Sequence, residues 1–337
     1  MSSSGHTSLR TTRRQFLAGS AAVAAAATCG WMSRAEDGQR VAQIAITLDL
    51  EMSAEYPRRG MTEWNYRKGD LDEATKRYSL QAGELVKKSG GVLHFFCVGQ
   101  SLEQPSVDWL KELAAAGHPI GNHTYDHIAL KAAKLEELQF RFKRAPWLTG
   151  DKSLPELIRD NIAVTTKAMK TAAGIIPNGF RTPGGFANGL TDRPDLQKLL
   201  LELGFTWVSS KYPSHQSGKP REAPSDEVFA DIVRAQKEAQ PFVYPSGLIE
   251  IPMSPISDVT AFRSNYWKRE YFLRAIRESV TWAIETGGVF DFLAHPSCLV
   301  VEDPQLESIQ LICDLVKAAG PRAAIVGLDQ IAKRVLK

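Results

Sequence analysis

After residue 40 the chain alternates short apolar runs with longer amphipathic stretches, and this alternation restricts the fold more than any other feature. Strand-like runs lie at 41–48, 92–98, 118–121, 178–181, 205–209, 248–253, 289–294 and 323–327. Helical periodicity occupies 72–88, 105–116, 154–173, 194–203, 225–238, 268–286, 304–318 and 328–336. Within 154–173, Leu157, Ile158, Ile162, Val164, Met169 and Ala172 recur at roughly helical spacing, and Gly174 stands where a C-cap belongs. Such alternation predicts parallel strands covered by helices. No Gly-x-Gly-x-x-Gly follows a strand and the P-loop pattern is missing, so a distorted α/β barrel, (β/α) in its repeat, fits better than a doubly wound sheet. No boundary divides residues 40–337, which predicts a single domain.

Polar residues collect where the apolar runs end: Asp49 and Glu51, Arg181, Ser209 and Ser210, and His295. In α/β barrels that is the face on which active sites are built. Asp49 and Glu51 stand two apart at a strand end and therefore share a face. Two such carboxylates are costly to desolvate without a partner, and a cation would supply one. His123 and His127, four apart in Gly121-Asn122-His123-Thr124-Tyr125-Asp126-His127, can face one side of a helical turn and hold one ion. Two imidazoles, one carboxylate ligand and a spare carboxylate are what metal-assisted hydrolysis requires. Segments 52–70 and 130–152 carry aromatic residues among basic ones and read as rim loops, suited either to stacking on a ring or to local packing.

The N-terminus reads as an export signal. Thr12-Arg13-Arg14-Gln15-Phe16-Leu17 has the twin-arginine pattern, and Phe16 to Ala27 forms an apolar stretch too short and too alanine-rich for a membrane span. Ser33-Arg34-Ala35 is the favoured cleavage site, with Ala25-Ala26-Ala27 as a rival, and this predicts an exported protein of the periplasm or cell envelope with no stable span once the signal is removed. Taking the four arginines of residues 1–35 from 41 basic side chains, against 38 acidic ones, leaves a net charge of −1. Nothing in that balance supports a nucleic-acid partner. Cys97, Cys298 and Cys313 would remain, an odd number at wide spacing and no disulfide framework.

Five segments, in order across about residues 41–297, resemble the polysaccharide deacetylases with the NodB-homology fold, also called carbohydrate esterase family 4. They are Ile46-Thr47-Leu48-Asp49-Leu50-Glu51, the strand His94 to Gly99, the segment Gly117 to His127 ending in His123-Thr124-Tyr125-Asp126-His127, Phe180-Arg181-Thr182-Pro183-Gly184-Gly185, and Leu293-Ala294-His295. The resemblance implies a divalent ion, first of all Zn2+, with Co2+, Ni2+ or Fe2+ as alternatives, held by Glu51, His123 and His127. It implies Asp49 as general base, Arg181 as the group orienting Asp49, and His295 as general acid. Gly184, through its backbone N–H, and Pro183 beside it would line the substrate carbonyl. The first motif departs from the usual adjacent aspartates, since Asp49 and Glu51 lie two apart. The fourth motif is poorly reproduced by Phe205 to Ser210, which leaves the partner of His295 open between Asp258 and Asp291. His94 and His118 read as packing or structural residues, and His215 has no assigned role.

The expected activity is hydrolysis of N-acetyl groups on an amino-sugar polymer or oligomer, releasing acetate. The runner-up keeps the fold and acts on the C–N bond of a small cyclic amide or imide, with or without a metal. The expected partner is thus a glycan or a small N-acylated substrate. A non-catalytic glycan-binding relative would lack Asp49, Arg181 or His295, and all three are present.

Overall fold

The computed structural model describes residues 40–52 and 68–336, together with Met1. The export reading of residues 1–35 falls outside the described residues apart from Met1, and so does 53–67 of the first rim segment. Arg40–Lys337 forms one compact unit.

Its centre is β1 (Ala42–Leu50), and the alternation of that strand explains its surroundings. Ile44, Ile46, Leu48 and Leu50 point outward and pack beneath the helices in the main hydrophobic cluster. Ala45, Thr47 and Asp49 point to the opposite face, the inside of the barrel. There Ala45 packs with Phe96, Trp207, Ile249 and Leu328. Above that apolar floor lies a polar layer of Thr47, Arg181, Ser209 and Asp291, each fully buried.

The remaining strands are β2 (His94–Cys97), β3 (Ile120–Asn122), β4 (Phe180–Phe186), β5 (Trp207–Lys211), β6 (Phe242–Val243), β7 (Ile249–Glu250), β8 (Val289–Ala294) and β9 (Ala323–Ile325). They run in the order β6-β7-β5-β4-β3-β2-β1-β8, and β9 pairs with β1. Pairing is parallel throughout except between β6 and β7. One edge of β1 is shared, its start taken by β9 and its end by β2, while β8 follows the other edge. Beyond β7 the chain turns toward β8: the Ser254 N–H donates to the Asp291 carbonyl at 3.1 Å, and the Asp291 N–H donates to Ser254 Oγ at 2.8 Å. These two bonds draw the ends of the sheet together into a distorted barrel.

Outside it lie α1 (Glu73–Lys88), α2 (Asp108–Ala115), α3 (Leu154–Ala168), α4 (Pro194–Glu202), α5 (Asp226–Gln236), α6 (Arg269–Thr286), α7 (Pro296–Glu302), α8 (Glu307–Ala319) and α9 (Leu328–Val335). The α3 helix begins with a capping box, Ser153 and Glu156 satisfying each other's backbone N–H groups. It continues as a π turn through Met169–Ala173 and ends on Gly174 at φ 69°, as the periodicity predicts.

Two differences from the sequence expectation have local causes. The run 248–253 pairs regularly over Ile249–Glu250 alone: Ile251 and Met253 still donate to the Val208 and Lys211 carbonyls, but those acceptors lie three residues apart against two, so the register breaks there. The segment Val259–Ser264 forms a π turn where no element is expected; Asp258, its N-cap, accepts the Val259 N–H at 2.8 Å. Cys97, Cys298 and Cys313 are buried free thiols. Among the described residues no helix is long and apolar enough to cross a membrane.

Gly179 leads into β4 at φ 80°, and a Cβ placed there would meet the Trp207 ring at 1.9 Å. Gly179→Ala therefore combines a left-handed backbone with overpacking and should cost about 2–4 kcal/mol of stability. Urea unfolding checks this; a loss below about 1 kcal/mol would mean that Trp207 moves aside freely.

Candidate active site

At the C-terminal ends of β1, β4 and β8 the barrel opens into a cleft of about 270 Å3. Asp49, Glu51, His123, His127, Gly184 and His295 all line it, on a wall completed by Tyr212, Met253 and Val259. Arg181 lies immediately beneath. Pro183 is buried and does not belong to the lining, so of the expected Pro183–Gly184 pair it is Gly184 that reaches the cleft.

Arg181 organises the floor. Its Nε and Nη2 donate to Ser209 Oγ at 3.2 Å, Nη1 to Thr47 Oγ1 at 2.7 Å and to Asp49 Oδ1 at 3.0 Å, and Nη2 to Asp291 Oδ2 at 2.5 Å. All five guanidinium N–H groups are thereby engaged. The cation also lies over the Phe96 ring, 4.3 Å from its centre. The alternation of β1 produces this arrangement, since Thr47 and Asp49 share its inner face. Burial pushes the Asp291 carboxyl up to about 6 against the pull of Arg181 and Thr47, and the Asp49 charge adds to the rise. One guanidinium thus serves two carboxylates, and Asp49 keeps Oδ2 facing the cleft, 3.7 Å from His123 Nε2.

The imidazole pair is presented by irregular chain. The predicted helical turn is not formed: His123 to His127 leave β3 as a loop, with Thr124 at φ 60° and His127 at φ 55°. Left-handed backbone at two non-glycine residues is unfavourable and persists only where the surroundings enforce it. Here they do. Asn122 Oδ1 accepts the Thr124 N–H at 2.9 Å, and Asn161 Oδ1 accepts the N–H groups of Tyr125 and Asp126 at 2.9 Å. Asn161 in turn donates to Asp126 Oδ2 at 2.8 Å, tying the loop to α3. Asn161 carries a legible signal, a buried polar residue inside the apolar stripe Leu157, Ile158, Ile162.

The donor set fits a divalent cation. His123 Nδ1–H donates to the Arg181 carbonyl at 3.0 Å, which fixes the tautomer and leaves the Nε2 lone pair facing the cleft. Burial pushes the His127 imidazole down to about 4, with Lys68 and His123 adding to the fall against Glu51, so it is neutral at ordinary pH and ready to ligate. One nitrogen from each imidazole and one Glu51 carboxylate oxygen lie within 4.8 Å of one another. Glu51 Oε2 faces His127 Nε2 directly and lies 3.5 Å from His123 Nε2, yet it is buried and accepts no hydrogen bond among the described residues. Lone pairs converging with no proton between them are what a cation resolves.

His295 follows β8. Its backbone N–H donates to Asp258 Oδ2 at 2.8 Å, and its Nδ1–H donates to Oδ1 of the same carboxylate at 2.9 Å. Asp258 is therefore the partner of His295, and Asp291 is the partner of Arg181. Nε2 points into the cleft, 3.4 Å from Glu51 Oε1. Burial depresses an imidazolium, but Asp258, then Glu51 and Asp49, outweigh it and lift His295 to about 9.

Between Arg181 and Phe186 the register of β4 against β5 shifts, a bulge that turns Thr182, Gly184 and Gly185 into the cleft. Gly184 sits there at φ 74° with open space around its missing Cβ, so backbone alone forms this part of the wall. Sequence reading missed Glu250. It is fully buried, with Oε1 accepting the N–H groups of Ser210 and Lys211 and Oε2 accepting the hydroxyls of Ser210 and Tyr244. It fixes the end of β5, which presents Tyr212 to the cleft, and this is why Ser210 turns away from the site while Ser209 turns in. His94 bridges the Leu328 N–H and the Asn178 carbonyl, and His118 accepts the Leu93 N–H, both away from the cleft. In the second rim segment Phe142 is buried while Trp147 is exposed.

Residues 71–206 match the family described as polysaccharide deacetylase. Among solved structures the chain is similar to a candidate polysaccharide deacetylase from Mycobacterium smegmatis, at 19% identity and a TM-score of 0.58, covering 90% of this chain and 93% of that one. A candidate polysaccharide deacetylase from Pseudomonas aeruginosa PAO1 gives 14% identity and a TM-score of 0.58, over 88% and 91% of the two chains. The Puue allantoinase gives 15% identity and a TM-score of 0.56, over 90% and 94%. At these identities the likeness is one of fold. No curated protein sequence matches the chain.

The site generates a pH test. The folded-state pKa of His295 lies above its ordinary 6.5, so the Asp258–His295 pair stabilises fully below about pH 6.5, and that contribution is lost as pH rises through about 9. Asp258→Asn should bring the His295 titration, followed by ring NMR, down by at least about one pH unit and flatten the fall in stability between pH 6.5 and 9. An unmoved titration would mean that Asp258 does not hold the proton.

Proposed function

Starting from a chain that belongs to the polysaccharide deacetylase family, with its NodB-homology fold, we propose that it is a metal-dependent hydrolase removing N-acetyl groups from an amino-sugar polymer or oligomer. The observation that carries this reading is the convergence of Glu51 Oε2 with the His123 and His127 nitrogens beside two carboxylate–cation pairs that leave one basic and one acidic atom facing the same cleft.

Glu51, His123 and His127 would hold one divalent ion, Zn2+ being favoured by a set of two nitrogens and one oxygen. Bound there, such an ion polarises the amide carbonyl and lowers the pKa of an attacking water toward about 7. The remaining work falls to the chain. Asp49, with Oδ1 held by Arg181, takes the proton of the water on Oδ2 as the oxygen attacks the carbonyl carbon. The Gly184 N–H, on a stretch of wall without a side chain, donates to the developing oxyanion. His295 enters as imidazolium and gives its Nε2 proton to the nitrogen as the C–N bond breaks, releasing acetate and a free amine. Asp258 keeps the imidazolium oriented and charged until that moment. A base held by Arg181 and an acid held by Asp258 thus face the same cleft, as acid–base catalysis by two groups requires.

The full reading has residues 1–35 as an export signal and 36–337 as the catalytic domain, working outside the cytoplasm on an envelope or extracellular glycan. Hydrolysis of a small cyclic amide or imide would use the same groups, and the choice rests on substrate. Acetate release from N-acetylated oligosaccharides, assayed beside ring opening of cyclic amides, separates the two; turnover of the cyclic amides alone would overturn the deacetylase assignment.

Asp49→Asn should keep the bound ion, measured by elemental mass spectrometry, while turnover falls on the order of a hundredfold or more. His123→Ala should lose the ion. Full turnover by Asp49→Asn would remove it from the mechanism, and full occupancy in His123→Ala would remove that imidazole from the metal set.

A further inference from the structure

The two oxygens of Glu51 have different surroundings. Oε2 faces the imidazoles, whereas Oε1 is 2.7 Å from the ammonium of Lys68, in an ion pair whose two side chains are almost wholly buried. Lys68 is among the largest fully buried side chains of the unit and lines the same cleft. The backbone places it there. The Gly69 N–H donates to the Glu51 carbonyl at 2.7 Å. Gly69 itself adopts φ 90°, where a Cβ would lie 2.6 Å from Gln100 Cβ. A glycine-only turn therefore pins the preceding lysine against the carboxylate at the end of β1.

We infer that Lys68 is a positioning residue of the metal centre: its ammonium occupies Glu51 Oε1, confines this ligand to one oxygen, and weakens the hold of the centre on its ion. The inference rests on the metal reading given above. Two physical effects combine. A carboxylate whose second oxygen is engaged binds through one atom, which favours a small coordination number and a Zn2+-like ion over cations that prefer many oxygens. A fixed positive charge one carboxylate away from a divalent cation repels it in a medium that screens poorly. The centre would then exchange its ion more readily than the same three ligands without the lysine.

The test uses the full chain stripped of metal, titrated with Zn2+ and with Co2+ against a chromophoric chelator, together with the visible spectrum of the Co2+ form. Lys68→Met removes the charge and keeps a stem of similar length; Lys68→Arg keeps the charge. Lys68→Met should bind both ions at least about tenfold more tightly, the direction set by loss of cation–cation repulsion. Its Co2+ bands should weaken as Glu51 becomes free to bind through two oxygens, while Lys68→Arg stays near the wild type. Should Lys68→Met fail to fold, Lys68→Gln, neutral but still an N–H donor, must show the tighter binding. Equal or weaker affinity in the neutral variants, with the wild type binding one ion, overturns the role of Lys68 and leaves the metal centre standing. Absence of binding in wild type and variants alike overturns the metal reading and this inference with it. Binding by the neutral variants where the wild type binds none supports the inference in its strongest form.

Discussion

A single buried guanidinium joins the strands of this barrel to its chemistry. Arg181 spans from β1 to β8 through Asp49 and Asp291 and reaches β5 through Ser209, with no N–H left unengaged. Leaving one partner of a buried ion pair uncompensated costs about 3–5 kcal/mol, whereas replacing the whole network by apolar groups is often neutral. Stability alone therefore does not explain why the layer is polar. Its effect is geometric: it holds Asp49 by one oxygen, keeps the other toward the cleft, and ties the strand that carries Glu51 to the strand that ends in His295. The three segments bearing the reactive groups are spaced by one side chain.

The polar layer also shows how the barrel separates folding from function. Below it Ala45, Phe96, Trp207 and Ile249 make an apolar floor, and outside it Ile44, Ile46, Leu48 and Leu50 fasten β1 to the helices. Those contacts position the strand ends whatever the cleft contains. Above the layer the chain spends regularity for placement: left-handed Thr124 and His127, a bulge in β4, and a π turn after Asp258. Asn122 and Asn161 hold the first of these and Asp258 the last, and each departure brings residues to the lining of the cleft.

Much of this was legible in the sequence because two periods carry it. Apolar runs of strand length and helical stripes placed the eight principal strands and the helices between them, and polar residues after the runs marked the cleft. What was not legible depends on contacts across the chain. The shape of the His123–His127 segment is set by Asn122 and by Asn161, 34 or more residues downstream, so a spacing of four could not distinguish a helical turn from a braced loop. The partner of His295 lies 37 residues upstream on a turn with no periodic signature. Glu250 sits in a strand that reads as apolar, and its partners come from the neighbouring strand end. Two-residue β6 lies below the length at which alternation can be seen.

The position of Asp258 has a consequence for how this cleft could change over evolution or in the laboratory. The same carboxylate that grips both the backbone and the ring of His295 also accepts the first N–H of the π turn whose residues Val259, Thr260 and Arg263 line one wall of the cleft. In the proposed mechanism, the fit of the ligand and the supply of the proton therefore both hang from Asp258. Remodelling that wall for a bulkier or smaller ligand would disturb the acid at the same time, whereas the opposite wall, built from Gly184 backbone and the bulge of β4, can be altered with the acid undisturbed. Divergence in what the cleft accepts is thus channelled toward one of its two sides.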